Sequence, residues 1–183
     1  MNTCGRASLA TMFAIGFGCL TLAAQSDEAP AAITARVHGT FLDGRGGLGV
    51  LSGDMTVVRF DAASGTLTAI GRIDGTLADS AGTVLGQVAQ ELALPVSGVA
   101  ATCNQLRMDL ASSDAVILQM AVHFDGEVAG FDSRDGTTPK ALAVLCTTGE
   151  LLRGQPSAAA LARALNGIAA ALAPARSLVA AGT

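Results

Sequence analysis

Residues 106–124 read Leu106-Arg107-Met108-Asp109-Leu110-Ala111-Ser112-Ser113-Asp114-Ala115-Val116-Ile117-Leu118-Gln119-Met120-Ala121-Val122-His123-Phe124. Leu106, Met108 and Leu110 fall on one face, while Arg107 and Asp109 fall on the other. Ser112-Ser113-Asp114 offers turn chemistry. Beyond it Val116, Leu118, Met120, Val122 and Phe124 alternate with Ile117, Gln119, Ala121 and His123. A period of two is what a strand with one buried face requires, so the stretch predicts two strands, the second running from Val116 to Phe124.

Upstream the same period recurs. Ile33, Ala35, Val37 and Phe41 alternate with Thr34, Arg36, His38 and Thr40. The glycines from Gly44 to Gly53 predict a long, mobile β-connection, and Met55 to Phe60 is apolar and β-branched. Asp61-Ala62-Ala63-Ser64-Gly65 turns the chain into Thr66–Leu77, with Leu67, Ala69, Ile73 and Leu77 on its inner face. After a turn at Asp79-Ser80-Ala81-Gly82, Thr83 to Val96 predicts another long strand. Strands joined by short turns at this spacing form an antiparallel meander.

Downstream the period changes. Thr137 or Thr138 can cap a helix with Pro139 in its first turn, and Leu142, Leu145, Cys146, Gly149 and Leu152 would share one face. Gly154 and Pro156 break it. Ser157 can cap a second helix bearing Leu161, Leu165, Ile168 and Leu172, and Pro174 ends it. The fold class is therefore α+β: an antiparallel curled sheet or sandwich-like meander followed by two C-terminal helices. Residues 33–173 form one domain, with 33–135 mainly strands and 137–173 helical. Residues 174–183 form a loose tail.

The first two dozen residues decide location. Arg6, an apolar run from Ala10 to Leu22, and small residues at Ala23, Ala24 and Ser26 follow the order of a secretory signal peptide. Residues 1–24 are read as that leader and 25–32 as a flexible lead-in. The expected location is secreted or periplasmic. Gly16-Phe17-Gly18-Cys19 allows a rival reading, a lipid-modified Cys19, although Leu20-Thr21-Leu22 continues the apolar run instead of opening a polar tether. Cleavage would leave Cys103 and Cys146, an even pair in an oxidising compartment, which favours a disulfide over two buried thiols. Closing that loop would contribute roughly 4 kcal/mol in the chain-entropy treatment.

Cys103-Asn104-Gln105-Leu106-Arg107-Met108-Asp109-Leu110, the strand Val116 to Phe124, and Leu145-Cys146 resemble small exported bacterial proteins of unassigned function. In these a cysteine opens a run of alternating leucines, and a second cysteine lies in a Leu-rich helical segment. The resemblance covers about the C-terminal half, in a chain poorer in Leu than that pattern. It implies a fold and an exported habit, and no functional residues.

Composition narrows the partners. Of 183 residues 50% are hydrophobic and 14% charged, with a net charge of −4, no Trp, no Tyr and a single lysine, Lys140. A chain without a basic patch or stacking aromatics is not built to hold nucleic acid. Chemistry is sparse too. His38 and His123 are the neutral-pH bases, both on polar strand faces beside Arg36 and Asp125. Gly49-Val50-Leu51-Ser52-Gly53 carries its serine one place late for a nucleophile elbow, and the glycine stretch lacks the Gly-Lys-Ser/Thr ending of a phosphate loop. Asp125, Glu127, Asp132 and Asp135 gather carboxylates, but Phe131 stands where a calcium loop needs its first ligand.

The expectation is a non-enzymatic exported protein of binding or structural type, without catalytic residues, metal or cofactor. Its sharper form holds an apolar small molecule among Val116, Leu118, Met120, Val122, Phe124, Leu142, Leu145, Leu161 and Leu165, which alternatively fill a solid core. Competing readings are an exported hydrolase and an envelope-attached component that assembles through a free sheet edge.

Overall fold

The computed structural model describes residues 31–133 and 137–173. The expected leader, with Cys4 and Cys19, the lead-in up to residue 30, Arg134, Asp135, and the tail from Pro174 lie outside the described residues. Eight strands form one antiparallel sheet: β1 (Thr34–Leu42), β2 (Leu48–Ala63), β3 (Thr66–Ala78), β4 (Val84–Ala101), β5 (Gln105–Leu110), β6 (Ser113–Ile117), β7 (Met120–Phe124) and β8 (Glu127–Asp132). Helices α1 (Pro139–Arg153) and α2 (Ala158–Leu172) follow. The α+β class and the two C-terminal helices stand as the sequence predicts.

The curl of the sheet goes to closure. β1 pairs with β2 along its whole length, from Thr34↔Thr56 to Leu42↔Leu48. The ladder runs on through β3, β4, β5 and β8, and β8 returns to β1 at Thr34↔Gly130 and Ala35↔Ala129. The result is a barrel, which removes most free edges. β5 and β6 act as one strand broken at Ala111-Ser112, and β7 and β8 as one broken at Asp125-Gly126. In the upper half of the barrel β7 takes over beside β1 at Gly39↔Phe124 and Thr40↔His123. There β6 ends the sheet, facing β4 across a seam that the Gln90 side chain crosses, its Nε2 donating to the Val116 carbonyl at 3.2 Å.

Inward side chains fill the interior. Val37, Leu51, Met55, Ile73, Leu77, Met108, Ile117, Val122 and Phe124 are each 0% exposed. Small residues admit the larger ones: a Cβ on Gly39 would lie 2.6 Å from Val122 Cγ1, and one on Gly49 would strike the Phe41 ring. The inner face expected for β3, Leu67, Ala69, Ile73 and Leu77, is buried throughout.

Several boundaries differ from the sequence reading, for identifiable reasons. The strand expected over Val116–Phe124 is a hairpin, β6–β7, turning at Leu118 and Gln119. Both adopt positive φ, 46° and 67°, the backbone of a tight primed turn. Such turns favour Asn-Gly, and Leu-Gln gives no signal of one. Ser113 and Asp114 belong to β6, so the expected turn at Ser112–Asp114 is only a break between strands. Of the glycine stretch only Asp43–Gly47 turns, and Leu48–Gly53 is strand. The strands around it run longer than predicted because glycines there face close-packed neighbours.

The helices close the other end. Thr138 and Ser157 are the N-caps, accepting from the Ala141 and Ala160 amides, with Pro139 in the first turn of α1. The buried stripe of α1 is Ala141, Leu145 and Thr148; of the expected face Leu145 is fully buried, and Leu142, Cys146, Gly149 and Leu152 are half-buried beside it. α2 buries Ala162, Leu165, Ile168 and Leu172, with Leu161 half-buried. α2 packs chiefly on β2 and α1, and α1 also packs on the end of β4. There Gly149 allows the approach, since a Cβ would sit 2.9 Å from the Ala101 carbonyl oxygen.

Candidate functional site

Seven of the nine residues proposed as one apolar pocket or core join the hydrophobic core, and Val116 and Leu118 lie outside it. Val122, Phe124, Leu145 and Leu165 are fully buried, whereas Val116 is 69% exposed and Leu118 50%. Met120, Leu142 and Leu161 are half-buried. The hairpin turn explains the split. Reversal at Leu118-Gln119 sends Val116 to the outer wall and leaves Ile117 and Val122 inside. The helices pack mainly on β2, β3, β4 and each other, and Leu145 and Leu165 join the core there.

Cys103 and Cys146 are bonded, with Cα atoms 4.1 Å apart across 43 residues of sequence. The bond ties the loop after β4 to α1. A disulfide of this kind belongs to an oxidising, non-cytoplasmic setting. Among the described residues no helix is long and apolar enough to cross a membrane.

On the outer wall, β-pairing sorts the polar residues into rows. Arg36 lies opposite Asp54 and Asp54 opposite Asp74; His38 lies opposite Ser52 and Ser52 opposite Thr76. Arg36, His38, Ser52, Gly53 and Asp54 line an open dent of about 220 Å³. Glu127 reaches in from β8. Its Oε1 accepts from the His38 amide at 3.0 Å and lies 3.2 Å from His38 Nδ1, which fixes the ring. His123 has a carboxylate as well, but it is Asp114 across the β6–β7 hairpin at 2.8 Å, not Asp125. Sequence spacing could not have found either pair, because both depend on which strands become neighbours. Both rings are about half exposed, on the polar faces predicted for them.

The connections at the far end are braced by Asp43. Its Oδ1 accepts from the Arg45 and Gly47 amides, and its Oδ2 from the Ser80 amide and hydroxyl. These four donors, the Ser80 hydroxyl foremost, hold the carboxyl well below the usual carboxylate range. Asp79 repeats the device, accepting from the Ala81 and Thr83 amides. Among the described residues no cluster of three His, Cys, Asp or Glu could hold a metal ion. Of the carboxylates considered for calcium, Glu127 is engaged by His38.

Beside these braces the outer wall turns apolar. Leu42 faces Leu48 across β1–β2, Val50 faces Ala78 across β2–β3, and Ala78 faces Val84 across β3–β4. A bulge there leaves Leu85 outside the ladder, next to Val84. The Leu118 side chain at the hairpin tip lies over Gly86. Of the nine large apolar side chains exposed among the described residues, these account for six. Such a concentration on one end marks a contact surface, whereas scattered exposed apolar residues need no explanation. Compared with known proteins, the chain matches no family, no curated protein and no solved structure.

Proposed function

We propose that this is an exported, non-enzymatic protein of binding or structural type, held in shape by Cys103–Cys146, that works through its outer wall. The single observation carrying the reading is the division of apolar side chains. Large ones from every wall of the barrel occupy its interior, and six of the nine exposed ones among the described residues collect at one end. A carrier for an apolar molecule would want roughly 300 Å³ of apolar cavity. The dent at His38 is smaller, polar and on the outside. Export is supported by the disulfide, by the order Arg6, Ala10–Leu22, Ala23–Ser26, and by the resemblance to small exported bacterial proteins.

The test is expression with the chain's own leader in a bacterium, followed by fractionation, intact mass and titration with an environment-sensitive apolar dye. The expected product has left the cytoplasm, lacks about two dozen residues as a cleaved leader would, and leaves the dye unbound inside. Material confined to the cytoplasm with Met1 in place overturns export. A dye held stoichiometrically in the interior restores the carrier.

One observation favours a second reading, the exported hydrolase. Glu127 orients the His38 ring through Nδ1, and Ser52 is the cross-strand neighbour of His38 in the same dent. A carboxylate-oriented imidazole beside a hydroxyl is the minimum of a nucleophile–base–orienter set. Labelling of Ser52 by a fluorophosphonate, abolished in His38→Gln, would establish it. An unlabelled native protein excludes it.

A further inference from the structure

We infer that the chain pairs with a second copy of itself through the apolar stripe Leu42/Leu48–Val50/Ala78–Val84/Leu85, at the end of the barrel away from the helices. The inference rests on the reading that the outer wall is the working surface.

The stripe is continuous because each step from Leu42 to Val84 is a register pair or a same-face neighbour two residues on, and Leu85 joins it at the bulge beside Val84. Its side chains are far from covered: Leu42 is 73% exposed, Leu48 65% and Val84 59%. Neutral side chains border it, Thr40, Ser52, Thr76 and Gln87, and the Thr76 hydroxyl donates to Gln87 Oε1 at 3.1 Å. The nearby charges are already answered. Asp43 has its four donors, and Arg45 lies 3.9 Å from Asp79. An apolar centre with a neutral polar rim can meet its own copy without burying an unpaired charge.

The choice of occupant follows from what the surface contains. A bilayer is gripped by Trp, Tyr, Lys and Arg at the interface, and its anionic face attracts cations. This chain has no Trp or Tyr, a net charge of −4, its single lysine on α1 at the opposite end, and Arg45, beside the stripe, faces the Asp79 carboxylate. Transient partners are anchored by Trp, Tyr or Arg in pockets, whereas permanent homodimer interfaces resemble a divided core. The stripe is wholly aliphatic, which fits the second kind. It is also laid out for a two-fold axis. With the axis through Val50 and Ala78, Leu42 and Leu48 of one copy meet Val84 and Leu85 of the other, a self-complementary contact. Two sheet faces would then pack about 10 Å apart, and six side chains supply the centre of an interface of about 800 Å² per partner.

Sedimentation velocity on the oxidised protein tests this, with Leu48→Thr/Val84→Thr as the variant. Threonine is β-branched and suits a strand at both positions. The expected result is a dimer with dissociation in the micromolar range, weakened at least tenfold in the variant, with an unchanged urea midpoint when both are measured well below the dissociation constant, where the two residues are exposed. A protein still monomeric at about 100 µM overturns the pairing and leaves the surface reading standing. A dimer indifferent to L48T/V84T overturns it too, and points to the β6 edge. A monomer that co-sediments with phosphatidylethanolamine–phosphatidylglycerol vesicles overturns it in favour of a lipid surface. Dye captured inside wild type and variant alike defeats the surface reading itself.

Discussion

Asn166 shows how much one side chain can settle. Beyond Val57, β2 has run past the end of β1, and its backbone would face outward unpaired. The Asn166 carboxamide takes both groups of Phe60, accepting from the amide at 2.8 Å and donating to the carbonyl at 2.9 Å. A helix side chain thus stands in for a neighbouring strand. Asn166→Ala leaves a half-buried donor and acceptor without partners, so the unfolding free energy should fall by about 1–3 kcal/mol with an unchanged denaturant slope. A loss below 0.5 kcal/mol, about the surface-substitution noise, would show that water replaces the contact freely. Asp43 makes a prediction about acid. Its folded pKa is depressed by hydrogen bonds, so its contribution is complete above the unfolded value near 4. It is then lost as the pH falls through the lower folded value. Asp43→Asn should therefore lower the urea midpoint at pH 6, and its gap to wild type should narrow steadily as the pH falls below about 4 toward the lower folded value. Parallel pH curves for the two proteins would refute the linkage.

At the scale of elements, what the sequence made readable was the alternation itself. Leu106, Met108 and Leu110, or Leu67, Ala69, Ile73 and Leu77, face inward because burial enforces a period of two. Turns with chemistry of their own were equally legible, as at Asp61–Gly65, where Ser64 and Gly65 take positive φ. The hairpin tip at Leu118-Gln119 was not, because alternation continues across it in type and only the backbone reverses. The α1 face was legible in Leu145, Cys146 and Gly149, whereas the buried Ala141 and Thr148 were not, being small or polar residues that carry no strong apolar signal. That bond carries an element-scale prediction. Replacing both Cys103 and Cys146 by Ser frees α1 from the β4 end across 43 residues. It should cost roughly 4 kcal/mol of unfolding free energy, less whatever the reduced chain retains. A double variant as stable as wild type would show that helix packing alone fixes α1.

For the whole molecule, the candidate surface was out of reach of sequence, since Leu48 and Val50 fall in the glycine stretch read as a connection, and Leu42 and Val84 gain their neighbours only when β1 to β4 lie side by side. The same dependence on assembly governs how the barrel shuts. Its last ladder joins Thr34 and Ala35 to Gly130 and Ala129, nearly a hundred positions away along the chain. Contacts so distant in sequence place refolding in the millisecond-to-second range, and stopped-flow circular dichroism of the oxidised protein should find it there. Microsecond folding would mean that the ring forms from local pieces. The consequence reaches biosynthesis. While residues near 130 are still inside the ribosome or a translocon, β1 has no partner on that side and the ring stays open. If the chain is exported in extended form, as proposed, that order keeps the ring from locking before β8, its keystone, has come through.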